Sequence, residues 1–244
     1  RSAGSAGHDT GREQKPAACT EVGKFWTGRF FLESAGYGGR KGSLSEIDEK
    51  KSQALWIAHT LFQLGKTSGS TGNLSFRDGE NIYISRSGSS FGTMQADDFS
   101  VIDLMGNQKA GGRPSKEAPL HLAYYKRFTD VQAVIHTHGR YGVLWGCLPG
   151  LDEKNCVPEW TPYLKMKLGN IGLVPYEKPG SDELFAAFEK HMDREKGYLL
   201  RRHGAIVGAK NLMEAFYGIE ELEESAFIAW NLMLAKNGTL DELK

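Results

Sequence analysis

The feature that most constrains the fold of this chain is a series of short β-rich segments in its first half. NLSFR, NIYISRS and FSVIDL begin at Asn73, Asn81 and Phe99, and turn sequences rich in Gly, Ser and Asp separate them. Short runs of β-branched and aromatic residues between such turns are typical of strands joined as hairpins. The sequence therefore predicts an antiparallel meander in this region.

Helices and further strands surround the meander. Apolar residues recur at helical spacing in the first helix, which Gly65 is placed to end, and Ser115 is a candidate N-cap for the second. Strands are predicted over 131–138 and 198–209, the latter folded around a His-Gly turn. Strands that come first and are then mixed with helices indicate a mainly antiparallel sheet flanked by helices. The helices are predicted over 45–65, 113–128, 184–192 and 211–236.

The chain of 244 residues is predicted to hold one large domain, at 45–244, because no linker-like stretch divides its middle. Residues 1–23 are rich in Gly, Ser and Ala and do not begin with Met, so we interpret them as a flexible or vector-derived arm. Residues 24–44 are aromatic but interrupted by glycines. They form an N-terminal extension whose packing the sequence leaves open.

Composition argues against several classes of function. Lys plus Arg and Asp plus Glu both number 30, and this zero net charge disfavours a role driven by bulk charge toward nucleic acid or membrane surfaces. No apolar run approaches the roughly 18 residues that span a bilayer, and the N-terminus lacks the apolar core of a signal peptide. Cys19, Cys147 and Cys156 match no zinc or redox spacing, which indicates reduced thiols in a cytoplasmic protein.

The segment VIHTHGRYG, from Val134 to Gly142, carries two histidines at the end of a predicted strand. Residues i and i+2 of a strand point to the same side, so His136 and His138 project their rings together. Two neutral imidazoles on one face suit a first-row metal ion such as Zn²⁺. The alternative is a polar pair at a strand end, in which each ring is hydrogen-bonded to its neighbours.

A third histidine extends the candidate metal site. His203 follows a second apolar strand and precedes Gly204, where the chain must turn tightly. Three histidines from two strands, with one open position, are the arrangement of a catalytic rather than a structural zinc site. Glu117, at the start of a predicted helix, is either a first-turn carboxylate favoured by the helix dipole or a general acid/base beside the metal. His121 shares its helix face four residues later and is interpreted as a packing residue or a partner of the ligands.

Five short motifs occur in an order that resembles the class II aldolase/adducin family: GSTGNLSFR, SRSG, RPSKE, VIHTHGRYG and LLRRHGAIVGA. Each motif is short, but the resemblance extends over roughly residues 45–236. It implies a three-layer α/β/α domain with a central, mainly antiparallel sheet. It also implies a small-molecule sugar-phosphate substrate and a homotetramer of fourfold symmetry, with active sites at the subunit interfaces.

The same resemblance implies roles for individual residues. His136, His138 and His203 match the ligands of one divalent metal ion, usually Zn²⁺, with Mn²⁺ or Co²⁺ as alternatives. Glu117 matches the residue that acts as acid/base. The residues at phosphate-binding positions are Ser70, Gly72, Asn73, Ser87, Gly88, Ser115 and Lys116.

Two departures from the family pattern bear on the substrate. Lys116 adds a charge where the family more often has a hydroxyl, which would tighten phosphate binding or indicate a different anion such as a carboxylate. Tyr163 falls within one residue of a family tyrosine that protonates the aldehyde oxygen, often from a neighbouring subunit. A second family tyrosine, in the last helix, has no match, because Ala229 and Trp230 stand in that neighbourhood.

The implied roles favour a metal-dependent aldolase that cleaves a ketose 1-phosphate to dihydroxyacetone phosphate and an aldehyde through a metal-stabilised enediolate. A dehydratase or a decarboxylase on the same scaffold is the alternative, because a stabilised enolate serves those reactions as well. A 4-epimerase is less favoured, because that branch usually has aspartate in place of Glu117. A non-catalytic adducin-like module is disfavoured, because such modules lose the metal histidines.

Overall fold

A computed structural model describes residues 45–235, and eight strands of this part of the chain form one sheet. Their order across the sheet is β4-β3-β2-β1-β5-β8-β7-β6, and every neighbouring pair is antiparallel except β6 and β7. The predicted meander and the mainly antiparallel sheet are therefore confirmed. The strands are β1 (Asn73–Asp78), β2 (Asn81–Ser85), β3 (Phe99–Ile102), β4 (Gln108–Ala110), β5 (Ala133–Thr137), β6 (Ile171–Val174), β7 (Gly197–Leu200) and β8 (Gly204–Ala209).

The α-helices of the described residues include all four that the sequence predicts. In the first, the Ser45 side chain accepts from the backbone N–H of Asp48, and the chain leaves the helix at Gly65, whose φ is 67°. This positive φ is the left-handed conformation that glycine adopts without steric cost. The helices are α1 (Glu46–Gln63), α2 (Ala118–Arg127), α3 (Arg140–Gly146), α4 (Tyr163–Leu168), α5 (Asp182–His191) and α6 (Leu212–Leu234).

The alternation of side chains along the strands produces two hydrophobic cores, one on each face of the sheet. In β5, Ile135 packs in the first core and Val134 in the second, and Val207 and Ile206 of β8 divide in the same way. Buried residues of α1 and α6 belong to the first core, and those of α2 and α5 to the second. Helices on both faces of one sheet make the three layers that the family resemblance implied.

The start of α2 differs from the sequence prediction. Ser115 is not its N-cap, because Glu117 occupies that position, and the Ser115 hydroxyl accepts from the backbone N–H of Glu117 at 3.3 Å. The backbone N–H of Ser115 donates to the carbonyl of Ser85 at 3.1 Å. The bond between Ser115 and Ser85 holds Ser115 beside the C-terminal end of β2, and the helix begins beyond it at Ala118.

The structure also differs from the sequence prediction in its short helices and strands. The elements β4, β6, α3 and α4 have between three and seven residues each and were not predicted, because runs of that length show no clear periodicity. The predicted strand at 198–204 ends earlier, at Leu200, and Arg202 adopts a φ of 57° in the turn that follows.

Two sequence predictions lie outside the described residues. The arm at 1–23 and the extension at 24–44 are not described, so both stay predictions. Within 45–235, none of the helices combines the length and the apolar character needed to cross a membrane.

Candidate metal centre

The end of β5 lies beside the start of β8, because these two strands pair in antiparallel fashion. His136 belongs to β5, His138 follows one residue after its end, and His203 immediately precedes β8. The side chain of His136 points to the face of the sheet on which α2 packs. Glu117, at the N-cap position of α2, is thereby placed over the three histidines.

These four side chains form a cluster whose potential ligand atoms all lie within 4.8 Å of one another. The Nε2 atoms of His136 and His138 are 3.0 Å apart. The Glu117 carboxylate lies 3.4 Å from the Nε2 of His136 and 3.1 Å from that of His203. His138 is partly exposed, whereas the other three members are buried, so the cluster is open to solvent at His138.

The hydrogen bonds of the imidazoles fit a divalent ion. The Nδ1 of neutral His136 donates to the carbonyl of Ala205 at 2.8 Å, which leaves its Nε2 unprotonated and directed into the cluster. Both ring nitrogens of His203 are buried and neither makes a hydrogen bond of good geometry among the described residues, although its Nε2 lies 3.1 Å from the Glu117 carboxylate. Unpartnered buried polar atoms are costly, and an ion at the centre would accept a lone pair from each ring. The residues present therefore suit a catalytic site with three histidine ligands.

The ionisation of the cluster agrees with this interpretation. Burial lowers the pKa of His136 well below its ordinary value and lowers that of His138 to about 4, so both rings are neutral at pH 7. Burial raises the pKa of Glu117, but His136, His203 and Asn73 together lower it by more than burial raises it. The pKa of Glu117 therefore lies well below its ordinary value. Neutral imidazoles beside a charged carboxylate are the ligand forms that divalent metals bind.

The loop before β1, which carries the first predicted phosphate contacts, is folded against the metal cluster. The hydroxyl of Thr67 donates to the carbonyl of Thr71 at 2.7 Å and closes the loop. Gly72 has a φ of 83°, and a Cβ added there would lie 3.0 Å from the carbonyl oxygen of His136. Both the positive φ and this close approach require glycine.

The other predicted phosphate-binding segments join the same end of the sheet. Ser115 is hydrogen-bonded to the end of β2 through Ser85, and the hydroxyl of Ser90 donates to the carbonyl of Gly69 in the loop before β1. The structure thus brings together three segments that lie far apart in the sequence. Phosphate binding there stays a prediction for Ser70, Gly72, Asn73, Ser87, Gly88, Ser115 and Lys116.

Three further candidates from the sequence have distinct positions. Asn73 is buried, and its amide nitrogen donates to Oε2 of Glu117 at 2.9 Å, so it contacts the predicted acid/base directly. His121 is fully buried behind Asn73 and is not a member of the metal cluster. Tyr163 is the first residue of α4 and is 58% exposed, and its catalytic role stays a prediction.

Glu223 of α6 is a residue of the site that the sequence analysis did not identify. Its buried carboxylate accepts from the backbone N–H groups of Tyr141 at 2.6 Å and Gly142 at 3.0 Å, in the first turn of α3. A Cβ at Gly139 would overlap this carboxylate, so any larger residue after His138 would require the Glu223 side chain to move. The only signal in the sequence was a glutamate on the otherwise apolar face of α6.

Known proteins are similar to this chain along most of its length. A sequence model of the family "Class II Aldolase and Adducin N-terminal domain" matches residues 53–230. The chain is 35% identical to a 3-oxo-tetronate 4-phosphate decarboxylase of Haemophilus influenzae over 184 residues, which cover 75% of this chain and 88% of the relative. It is 33% identical to an L-fuculose phosphate aldolase of Methanocaldococcus jannaschii over 186 residues, which cover 76% and 98% of the two chains.

A solved structure shows the same architecture. It is the crystal structure of YgbL from Klebsiella pneumoniae, a candidate aldolase, epimerase or decarboxylase. The TM-score is 0.77 at 34% sequence identity, and the match covers 83% of this chain and 96% of that one. The three-layer fold is therefore shared with a relative of clear sequence similarity.

Proposed function

The chain belongs to the family of class II aldolases and adducin N-terminal domains, and from this premise we propose that it is a metal-dependent decarboxylase of a 3-oxo sugar-acid phosphate. The proposed substrate is 3-oxo-tetronate 4-phosphate or a close analogue, and the products are carbon dioxide and dihydroxyacetone phosphate. The observation that carries the proposal is the 35% identity over 184 residues to a decarboxylase named for that substrate. The cluster of three histidines and one glutamate supplies the chemistry that this reaction needs.

A 3-oxo acid loses carbon dioxide because its ketone can take up the electron pair that the departing group leaves. The bond between C1 and C2 breaks, the carboxylate leaves as carbon dioxide, and the electron pair is shared over C2, C3 and the C3 oxygen. Protonation of C2 then yields the hydroxymethyl end of dihydroxyacetone phosphate. Each turnover therefore consumes one proton for each carbon dioxide released.

The residues of the site suit these steps. A divalent ion held by His136, His138 and His203 would polarise the ketone and stabilise the negative charge that develops on its oxygen. Glu117 borders the same cluster, so its carboxylate is placed to take up a proton from water and pass it to C2, which returns the group to its charged form. Lys116, exposed beside Glu117, offers a positive charge to an anionic group of the substrate.

The phosphate has a separate place in this proposal. Gly72 and Gly88 both have a φ of 83°, in segments that also carry small hydroxyl residues. Backbone N–H groups in such turns form concavities that bind anions. We assign the 4-phosphate to these segments.

Retro-aldol cleavage of a ketose 1-phosphate is the second candidate, because it passes through the same enediolate and yields the same dihydroxyacetone phosphate. The 33% identity to an L-fuculose phosphate aldolase favours it. The two reactions differ at the departing carbon, since an aldolase must also move a proton at the hydroxyl that becomes the aldehyde. Ala229 and Trp230 of α6 occupy the neighbourhood in which aldolases of this family have a tyrosine, and this difference favours decarboxylation.

The test measures carbon dioxide and dihydroxyacetone phosphate together, from freshly prepared 3-oxo-tetronate 4-phosphate, with metal-loaded and chelator-stripped protein. Equal amounts of both products, formed only by the metal-loaded protein, support the proposal. Dihydroxyacetone phosphate from L-fuculose 1-phosphate or another ketose 1-phosphate, with no carbon dioxide from the 3-oxo acid, would assign the protein to the aldolases. No product from either substrate would contradict both functions.

Matched variants show whether a product depends on this site. His136→Ala removes one ligand of the cluster, and we expect it to abolish product formation. His191→Ala is the control, because His191 lies on α5 outside the cluster and its Nδ1 is hydrogen-bonded to the Ala187 carbonyl of its own helix. Its activity should match that of the unmodified protein.

A further inference from the structure

We infer that His121, Ser75 and Tyr125 form a buried hydrogen-bond chain that fixes the direction of the Asn73 amide and thereby positions the Glu117 carboxylate in the metal cluster. These three are positioning residues, since none of them belongs to the cluster itself. The inference rests on the proposed role of Glu117, and it extends that role to residues behind the site.

Five side chains are linked in sequence. The hydroxyl of Tyr125 is 2.7 Å from the Oγ of Ser75, which is 2.8 Å from the Nδ1 of His121. The Nε2 of His121 is hydrogen-bonded to the Oδ1 of Asn73, and the Nδ2 of Asn73 donates to Glu117 at 2.9 Å. All five residues are buried, and Ser75 and His121 have no exposed surface. Hydrogen bonds shielded from water in this way are the ones that fix orientation most strongly.

One assignment of the hydrogens satisfies every contact in the chain. The charged Glu117 carboxylate can only accept, so Asn73 turns its NH₂ group toward Glu117 and its carbonyl toward His121. That carbonyl also can only accept, so the proton of His121 is on Nε2. Burial lowers the pKa of His121 to about 3, so the ring is neutral and its Nδ1 accepts from Ser75. Ser75 in turn accepts from Tyr125.

The spacing of the two elements explains why the chain forms. Asn73 and Ser75 are two residues apart on one face of β1, and His121 and Tyr125 are four residues apart on one face of α2. Two residues along a strand and four along a helix both span roughly 6–7 Å, so the pairs match in length. The packing of α2 on the sheet therefore brings each partner into register with the next.

The consequence for the site is a fixed amide. Without a donor at His121, the Asn73 side-chain amide could rotate by a half turn, exchange the positions of its oxygen and nitrogen, and place the oxygen against Glu117. Two acceptors would then face each other, and their repulsion would displace the carboxylate from His136 and His203. With His121 in place, the NH₂ group faces the site, and its second hydrogen is free for an anionic group of the substrate.

Two substitutions of one residue separate positioning from packing. In His121→Gln, the side-chain amide reaches the position of the former Nε2 and can still donate to Asn73. In His121→Asn, the amide reaches only the position of the former Nδ1, so the donor to Asn73 is lost. We expect the Asn variant to lose about 10- to 100-fold in metal affinity and in kcat, the effect typical of a lost partner behind a metal site, and the Gln variant to lose about threefold or less.

Tyr125→Phe removes the far end of the chain. Ser75 can still donate to His121 in this variant, so metal affinity should fall by about threefold or less, far below the loss in His121→Asn. His191→Ala, outside the chain and the cluster, is the control and should keep the metal affinity of the unmodified protein. Metal affinity is measured by titration of the stripped protein with Zn²⁺ or Co²⁺ and needs no substrate. Failure of the proposed decarboxylation would therefore leave this test intact. Equal losses in the Gln and Asn variants of His121 would overturn the inference.

A measurement on the unmodified protein does not depend on whether the variants fold. Nitrogen-15 NMR of the metal-free protein at pH 7 reports which imidazole nitrogen of His121 carries the proton. We expect protonation at Nε2 alone, with the same tautomer in Tyr125→Phe. A proton on Nδ1, alone or together with Nε2, would reverse the hydrogen-bond direction and overturn the inference.

Discussion

Glu117 is the residue on which the proposed chemistry depends most. Glu117→Gln keeps the shape of the side chain and the three imidazoles but removes the charge, so we expect saturating metal to stay bound with about 10- to 100-fold weaker affinity, while kcat falls by about 10²- to 10⁴-fold, the range for loss of a general acid/base. Metal content and turnover are measured on the same sample. Glu189→Gln, at an exposed position of α5, is the control. Unchanged turnover in Glu117→Gln would remove Glu117 from the mechanism.

A second prediction concerns the pH dependence that His121 gives to folding. Burial lowers its pKa from 6.5 to about 3, so the unfolded chain takes up a proton in this range while the folded chain does not. The free energy of unfolding should therefore fall as the pH drops from 6.5 toward 3. One such histidine contributes a slope of up to about 1.4 kcal/mol per pH unit. Urea unfolding of the metal-free protein should show a slope shallower by that amount in His121→Gln, and identical slopes would contradict a neutral buried ring.

Sequence reasoning identified the residues of the candidate metal cluster but not the contacts that position them, for a physical reason. His136 and His138 are two residues apart, so the period of a strand alone places both rings on one side. The contact between Asn73 and Glu117 joins residues 44 positions apart and depends on how α2 packs against β1. Local periodicity carries no information on such packing, so the direction of the Asn73 amide could not be predicted.

Among the helices, α3 shows most directly how one element positions another. It begins just after His138, and the Glu223 carboxylate of α6 accepts two of its first backbone N–H groups. Glu223→Gln leaves one oxygen acceptor and no charge, so we expect about 1.5–3 kcal/mol lower free energy of unfolding, the range for hydrogen bonds to charged groups. Urea denaturation measures this loss. The exposed neighbour Glu224→Gln should change stability by no more than about 0.5 kcal/mol, and equal effects would show that the contact contributes nothing.

The helices and strands were predictable where their own sequence carried a long pattern. The amphipathic α1 and α6 and the strands of the meander each show a clear period, and all of them are present. By contrast, α3 has seven residues and depends on Glu223, about 80 positions later in the chain. An element that is stabilised by a distant side chain leaves no periodic pattern of its own.

For the assembled protein, the mainly antiparallel sheet flanked by helices followed from the order of its elements, whereas the arrangement in three layers was implied by the family resemblance. The number of chains in the assembled protein cannot be derived from the order of its elements. The implied homotetramer rests on the family resemblance, and in one chain Tyr163 and Met166 of α4 are 58% and 77% exposed. Exposed apolar side chains that lie close together are typical of interaction surfaces. We therefore expect α4 to lie at a subunit boundary.

The corresponding experiment measures mass in solution. Sedimentation should give a mass near four times the 27.0 kDa of one chain. Met166→Glu places a charge on the α4 surface, where burial without a partner is costly, so this variant should dissociate toward smaller species. Met105→Glu is the matched control, because Met105 is equally exposed, at 77%, in the turn between β3 and β4. A mass of one chain for the unmodified protein would contradict the tetramer, whereas dissociation by both variants or by neither would place the boundary elsewhere.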